Sequence, residues 1–163
     1  MNVSGTWTGE YHFEEGACDK EASAVVGHVV QFEMTLKQGW LGMLSGTVKD
    51  DARTGYPEEG QIKGKFKTGK TGGWVEFRRL MPVWRMMHEV GRVTLERWAE
   101  RRKVVMDSEK PGPPLLFEGN LSEDGNEIEG TWKLPGETLL VPGSYLQEPI
   151  PTVGGSWKAR RKG

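Results

Sequence analysis

One five-residue motif, apolar-x-Gly-x-apolar, recurs along the chain and limits its fold more than any other feature. The motif occupies residues 3–7, 44–48, 62–66, 117–121, 128–132 and 153–157. Side chains alternate between the two faces of a β-strand, so the two apolar residues and the glycine of each motif share a face. A glycine on the packed face allows a sheet to bend sharply, and repeated bending closes a sheet into a barrel.

Alternation of apolar and polar residues predicts eight strands. They cover approximately residues 3–13, 26–37, 41–50, 60–67, 74–80, 115–122, 126–134 and 153–161. Gly125-Asn126 lies in a turn typical of a tight hairpin between the sixth and seventh strands. Because the first and last strands carry the same motif, we expect them to pair and close an all-β, eight-stranded antiparallel up-and-down barrel.

The composition supports a single barrel domain spanning residues 1–163. The chain has 23 glycines, 7 tryptophans and only 36% apolar residues, a balance that favours a barrel with many turns over a helical bundle. A net charge of −1 gives no overall attraction to nucleic acid or to an anionic membrane, so neither is expected as a partner. With a single cysteine and no signal-peptide pattern at its start, the chain is expected to be cytoplasmic.

Two segments do not fit the strand pattern. Residues 82–106 show helical spacing at Leu95, Trp98 and Arg102, which predicts a short helix or ordered insertion between the fifth and sixth strands. Residues 135–152 contain four prolines, and we expect no regular element there. Either segment would cover a barrel mouth, form a subunit contact, or pack as an ordered loop on the outer wall.

Residues 64–71 match the phosphate-loop pattern G-x-x-x-x-G-K-[ST] letter for letter. That chemistry requires a loop that leaves a parallel strand and enters a helix, whose amides hold the phosphate. Here the motif begins inside the fourth strand, and the alternating fifth strand follows it. We therefore interpret these residues as a lysine-rich hairpin turn, and not as a nucleotide site.

The start of the first strand resembles a known group of barrels. Gly5-Thr-Trp7, together with basic residues on the last strand, is similar to the calycin group of lipocalins, fatty-acid-binding proteins and avidins. The resemblance implies a tryptophan across one barrel end, an arginine or lysine laid over it, and a small apolar or amphipathic molecule inside. Trp7 and either Arg161 or Arg160 match these positions. The arrangement also resembles small bacterial barrel proteins of the same type.

The chain departs from some members of these families. With one cysteine it cannot form the internal disulfide of lipocalins, and its first residues do not show the signal-peptide pattern expected of them. Gly5-Thr-Trp7-Thr-Gly9 further resembles the start of nitrobindin-like haem barrels, which take their iron ligand from a histidine near the end of the chain. The last histidine here is His88, so no haem or other cofactor is expected. Histidines on unrelated faces likewise predict no metal site.

The inward faces supply the candidate site residues. The cavity-lining candidates are Tyr11, His28, Val30, Phe32, Met34, Phe66, Phe77, Phe117 and Trp132. Trp7, Trp157 and Arg161 are the candidates for packing one barrel end, where we expect the two tryptophans to lie near each other. A modest cavity is expected at the opposite end. His28 is interpreted either as a polar ligand contact or as a hydrogen-bonded structural histidine.

Three hypotheses of function follow. In the first, the barrel is a non-enzymatic binder of a small apolar or amphipathic molecule. In the second, the barrel is solid and acts as a homodimer or protein-interaction module through Trp84, Trp98 and the proline-rich segment. In the third, the protein is an enzyme of unknown reaction, although no set of acid, base and nucleophile is visible.

Overall fold

The computed structural model describes residues 1–55, 59–80, 114–140 and 147–163, with backbone alone for 137–140 and 147–150. The regular structure in this part of the chain is all β, apart from two short 3₁₀ turns at Lys20–Val25 and Trp40–Gly42. The strands are β1 (Gly5–His12), β2 (Val29–Gln38), β3 (Met43–Asp50), β4 (Gly60–Thr68), β5 (Gly73–Leu80), β6 (Leu115–Leu121), β7 (Glu127–Leu134), β8 (Glu137–Leu140), β9 (Gln147–Ile150) and β10 (Val153–Arg161).

Eight of these strands form a closed antiparallel barrel in the order β1-β10-β7-β6-β5-β4-β3-β2. The first and last barrel strands close it, with Trp7 opposite Arg161 and Tyr11 opposite Trp157. Each neighbouring pair is antiparallel. Because the sheet is closed, every barrel strand is hydrogen-bonded on both sides. The predicted all-β, up-and-down barrel is confirmed.

The glycines of the repeated motif make room for aromatic side chains. Gly130 on β7 lies opposite Trp157 on β10, and a Cβ atom at Gly130 would overlap the carbonyl oxygen of Glu118 on β6. That same oxygen accepts a hydrogen bond of 2.8 Å from the indole nitrogen of Trp157. Because Gly130 has no side chain, the indole of Trp157 on β10 can cross β7 and reach the backbone of β6.

A second tryptophan repeats the arrangement in the opposite direction around the wall. Trp132 on β7 lies opposite Gly155 on β10, and a Cβ at Gly155 would overlap the carbonyl oxygen of His12. The indole nitrogen of Trp132 donates to that oxygen over 2.9 Å. Large and absent side chains thus alternate across the β7–β10 pair, so the barrel can bury two indoles and still satisfy their N–H groups.

The two ends of the barrel differ in how its strands are joined. At one end, which we call the turn end, short connections occupy residues 39–42, 69–72 and 122–126. At the other, the loop end, the barrel strands that meet are separated in sequence by longer intervals, residues 13–28, 51–59, 81–114 and 135–152. The 3₁₀ turn Lys20–Val25 lies in the first of these and buries Ala22 and Val25 in the core.

The residues that match the phosphate-loop pattern lie in the hairpin between β4 and β5. β4 ends at Thr68, β5 begins at Gly73, and the two strands are antiparallel neighbours with Thr68 opposite Gly73. No helix follows the motif, which occupies strand and turn. The interpretation as a hairpin turn is confirmed.

Two expectations need correction, and one is outside the described residues. The proline-rich segment does contain regular structure, because β8 and β9 pair as a separate two-stranded sheet with Thr138 opposite Pro149. Proline is tolerated there because a two-stranded sheet has two edges, where an N–H can be missing without breaking a ladder bond. Trp7 and Trp157 do not lie in the same layer, since Trp157 lies opposite Tyr11, four residues along β1. The predicted helix within 82–106 falls outside the described residues.

Candidate functional site

Aromatic side chains from non-adjacent strands meet in the middle of the barrel. The ring of Tyr11 on β1 lies 5.9 Å from that of Phe117 on β6, measured between centroids, and 4.9 Å from that of Trp132. The ring of Trp157 lies 5.6 Å from that of Phe77 on β5. Since these strands are not neighbours in the sheet, the contacts run through the lumen and fill it with side chains.

A small space remains among these side chains. The described residues enclose an interior cavity of about 10 Å³, lined by Phe32, Met34, Val48, Phe77, Arg79 and Phe117. A volume of roughly 10–15 Å³ holds a single water molecule. This cavity therefore has room for a water molecule and not for an organic ligand.

A buried polar cluster of Tyr11, Asp50 and Arg79 lies beside the cavity. Asp50 is the last residue of β3, and Arg79 precedes the last residue of β5. An Arg79 guanidinium nitrogen is 2.6 Å from one Asp50 carboxylate oxygen, and the Tyr11 hydroxyl donates to the other over 2.9 Å. Side-chain exposure is 1% for Arg79 and 0% for Asp50, so the ion pair is fully withdrawn from solvent.

Electrostatics favour a protonated Tyr11 and a charged Arg79 in this cluster. Burial raises the pKa of Tyr11 well above its ordinary value, and the negative charge of Asp50 adds to the effect. Burial by itself would lower the pKa of Arg79, but the charge of Asp50 and the contact with Tyr11 together raise it. Near neutral pH the tyrosine keeps its proton and the arginine keeps its charge. Such a cluster is suited to orienting a polar group and not to transferring protons.

The sequence prediction contained one member of this cluster and missed the other two. Tyr11 was a cavity-lining candidate, whereas Asp50 and Arg79 were not. The missed signal is the same alternation that identified their neighbours, because Asp50 shares parity with the motif's Val48 and Arg79 with Phe77. A charged residue at an inward position predicts a buried pair when a second one of opposite sign is also present.

The other cavity-lining candidates fall in two groups. The buried ones contribute to the barrel core: Val30, Phe32, Met34, Phe66, Phe77, Phe117 and Trp132. His28 is half-buried, precedes β2 at the loop end, and has Nε2 2.7 Å from the carbonyl oxygen of Thr54. Its ring also packs against that of Phe13, 5.8 Å between centroids. These contacts fit the structural interpretation of His28 and do not bring it into contact with the polar cluster.

The barrel-end candidates Trp7 and Arg161 meet at the turn end. The guanidinium carbon of Arg161 lies 4.5 Å from the centroid of the Trp7 ring. Its nitrogens donate to the carbonyl oxygens of Ser4, Asn2 and Gly125 over 2.6–3.2 Å. Arg160 instead faces outward, where it pairs with Glu127. Of the two arginines that the resemblance offered, the structure places Arg161 over the tryptophan.

Cys18 lies at the loop end, half-buried, with its Sγ 3.4 Å from the carbonyl oxygen of Gly154. Burial raises the pKa of its thiol, and the charges of Asp19 and Glu14 raise it further. A raised pKa leaves little thiolate at neutral pH, which argues against a reactive nucleophile at this position.

Comparison with known proteins adds no family. No family model matches the chain, and no curated protein matches it either. Within the described ranges, no group of three or more histidine, cysteine, aspartate or glutamate side chains is placed to hold a metal ion. No helix in those ranges has both the length and the apolar character needed to cross a bilayer. The described residues form an eight-stranded antiparallel closed β-barrel.

Proposed function

We propose that this protein is a non-enzymatic binding module in which a solid barrel serves as scaffold and recognition takes place at its surface. The observation that carries the proposal is the packing of aromatic side chains across the lumen, where the described residues around Arg79 leave a cavity of about 10 Å³. Barrels of eight strands are narrow enough to be filled by their own side chains. A barrel that keeps its interior closed presents its outer residues for binding.

The test is a titration with apolar dyes and fatty acids, followed by tryptophan emission and melting temperature. A closed lumen predicts no change in either at tens of micromolar ligand, because a molecule that binds the folded state must raise its stability. Saturable binding with a rise in melting temperature would overturn the proposal. Met34→Ala is the positive control, since it enlarges the cavity that Met34 lines and should admit a small apolar probe.

A second candidate function is binding of a small amphipathic molecule inside the barrel, and the buried polar cluster favours it. A buried ion pair contributes little net stability, because desolvation offsets the attraction between its charges. In the proposed binding mode, an acidic head group takes the place of the Asp50 carboxylate against Arg79 and Tyr11, with the apolar tail toward the loop end. The Trp7–Arg161 contact supports the same reading, because it fits a relationship to the calycin group.

The Asp50→Asn variant separates this second candidate from the first. It removes the carboxylate charge from beside Arg79, so the binding of a fatty acid should strengthen while that of the matching fatty alcohol stays unchanged. If neither ligand binds the variant or the native protein, the interior is not a ligand site and the second candidate is lost.

A further inference from the structure

The turn between β2 and β3 carries large apolar side chains into solvent. Trp40 is 86% exposed, Leu41 82% and Met43 55%. We call these three residues the apolar tip. Single exposed apolar side chains are ordinary on protein surfaces, but a cluster of three in one turn that includes a tryptophan marks an interaction site.

The backbone holds the apolar tip in a fixed and costly conformation. Leu41 adopts φ 56° and ψ 25°, a left-handed geometry that disfavours a residue with a Cβ atom. The amide of Gly39 donates to the carbonyl oxygen of Met43 over 2.7 Å, which closes the turn. Gly42 lies so close to Phe66 on β4 that a Cβ there would overlap the Phe66 carbonyl oxygen. Glycine at position 41 would relieve the strain, yet the position holds an exposed leucine.

Basic side chains surround the apolar tip on the outer sheet face. Met43 lies opposite Lys65, and the next outward residue of β3, Ser45, lies between Lys37 and Lys63. We call the exposed cations of this region the basic face: Lys37, Lys63, Lys65, Lys67 and Arg78. Glu76 lies opposite Lys65 on β5, and Glu118 lies beside it on β6, so carboxylates border the basic face on that side. The net charge of −1 therefore conceals a strongly positive local surface.

We propose that the apolar tip inserts into the interfacial layer of an anionic phospholipid bilayer while the basic face contacts the lipid headgroups. Tryptophan is enriched at the level of the headgroups, and aliphatic side chains gain from contact with the acyl chains. Lysines near an anionic leaflet add attraction that acts over about a Debye length. The inference rests on the proposed surface role of the barrel and names the partner for that role.

Charge and shape favour a lipid surface over the other occupants of such a site. A two-fold contact between copies of the chain places the same patch on both sides, so the basic faces would repel each other. A protein partner of standard interface size covers about 800 Å² on each side, far more than three protruding side chains offer. Single-stranded nucleic acid stacks on aromatic rings, and two of the three tip residues, Leu41 and Met43, are aliphatic.

The experiment is vesicle binding by the full chain, measured by co-sedimentation with phosphatidylcholine vesicles that contain or lack phosphatidylserine. Binding is expected with phosphatidylserine, weakening as salt is raised, and is expected to be far weaker without it. Vesicles with brominated acyl chains should quench part of the tryptophan emission. Trp40→Phe should abolish that quenching and retain binding, because Trp40 is the tip's fluorophore.

Leu41→Gly separates recognition from stability. The variant removes an exposed side chain and relieves the left-handed strain, so the protein should be at least as stable as the native form. Vesicle affinity should nevertheless fall roughly tenfold, because an aliphatic side chain leaves the acyl region. A merely structural role for Leu41 would leave affinity unchanged, and that result would overturn the inference.

Charge reversal tests the basic face. Lys65→Glu combined with Lys67→Glu should weaken binding to anionic vesicles by roughly 25-fold or more, at roughly fivefold or more for each lysine removed. Lys49→Glu combined with Lys158→Glu is the matched control, because these exposed lysines lie beside Glu33 and Glu10, away from the basic face, and it should have much less effect. Equal losses from the two changes would point to nonspecific charge attraction and contradict a defined face.

The remaining outcomes each decide against the lipid inference. Single-stranded oligonucleotide binding that depends on Trp40 but not on Leu41 would assign the tip to nucleic acid. Dimerisation lost on Leu41→Gly would assign it to a second copy of the chain. No vesicle binding with a lumen that excludes dyes overturns the lipid inference alone, whereas dye uptake by the lumen overturns the proposed function itself.

Discussion

The turn end and the interior of the barrel each hold an arginine, and the two arginines are satisfied in different ways. At the turn end, Arg161 lies on the face of Trp7 and donates to neutral backbone carbonyl groups. In the interior toward the loop end, Arg79 pairs with the carboxylate of Asp50 and is fully buried. One cation is held at a rim that water reaches, and the other is held where water is excluded.

The difference shows how burial decides what a cation requires. At a rim, carbonyl dipoles and an aromatic face are sufficient, because solvent still screens the charge. In a closed lumen, an arginine needs a carboxylate, because the cost of withdrawing its charge from water is several kcal/mol. Loss of Arg161 should therefore reduce stability moderately. Loss of Asp50 or Arg79 alone should reduce it strongly, because the remaining charge stays buried without its partner.

Asp50→Ala should have the largest effect on stability. The change leaves the buried charge of Arg79 without the carboxylate, and the free energy of unfolding should fall by about 3–5 kcal/mol. Urea unfolding followed by circular dichroism measures the loss. The double variant Asp50→Leu with Arg79→Met should recover most of it, because apolar side chains of similar volume replace the ion pair. A double variant as unstable as Asp50→Ala would show that the charge of Arg79 is not the source of the loss.

Arg161→Met should cost less, about 1–3 kcal/mol, through lost hydrogen bonds to carbonyl groups that water can partly replace. Thermal unfolding compares it with Arg160→Met, whose outward side chain pairs with Glu127 on the surface and should contribute at most about 1 kcal/mol. Similar small effects from both substitutions would show that Arg161 does not close the turn end.

Tyr11→Phe should cost about 1–2 kcal/mol at neutral pH, through the lost hydrogen bond to Asp50. The native protein should show a further pH dependence, since the pKa of Tyr11 is raised on folding. A raised pKa contributes stability that is present below the unfolded value of about 10 and is lost as pH rises beyond it, at about 1.4 kcal/mol per pH unit. Urea unfolding of both proteins from pH 9 to 11 should show a shallower decline for Tyr11→Phe, and parallel declines would contradict the assignment.

Glu10→Gln should have the smallest effect, because its ion pairs lie on the outer wall. The carboxylate lies 3.1 Å from His12 and 3.3 Å from Lys158, and the hydrogen bond from His12 is the main cause of its lowered pKa. Surface pairs of this kind contribute at most about 1 kcal/mol. A depressed pKa contributes stability above the unfolded value of about 4.3 that is lost as pH falls further, so the difference from the native protein should disappear in acid. A loss of stability as large as that of Asp50→Ala would show that this outer-wall ion pair matters as much as the buried one, and would contradict the comparison.

The sequence predicted the barrel wall well because the wall obeys a simple physical rule. Strands buried on one face alternate strictly, and the eighth predicted strand at 153–161 coincides with β10. Residues 135–152 were mispredicted because their prolines argue against strands, whereas a two-stranded sheet accepts them at its edges.

The candidate site was harder to predict than the wall. The sequence did not identify Asp50 and Arg79 as site residues, because a charged residue considered alone is not expected in a core. Only the fold shows that the two side chains meet. The apolar tip was missed because Leu41 and Met43 were counted in the third strand, predicted at 41–50, and Trp40 in no element, whereas β3 begins at Met43. A turn that breaks the alternation is visible in the sequence only as an extension of the strand beside it.

The small interior cavity has a consequence for how the barrel responds to hydrostatic pressure. Pressure unfolds proteins mainly by eliminating internal voids, so the volume change of unfolding scales with the empty space in the native state. With about 10 Å³ among the side chains around Arg79, this part of the core has little volume to give up. The void around Arg79 should therefore contribute little to the volume change of unfolding, and pressure should gain little from this part of the core.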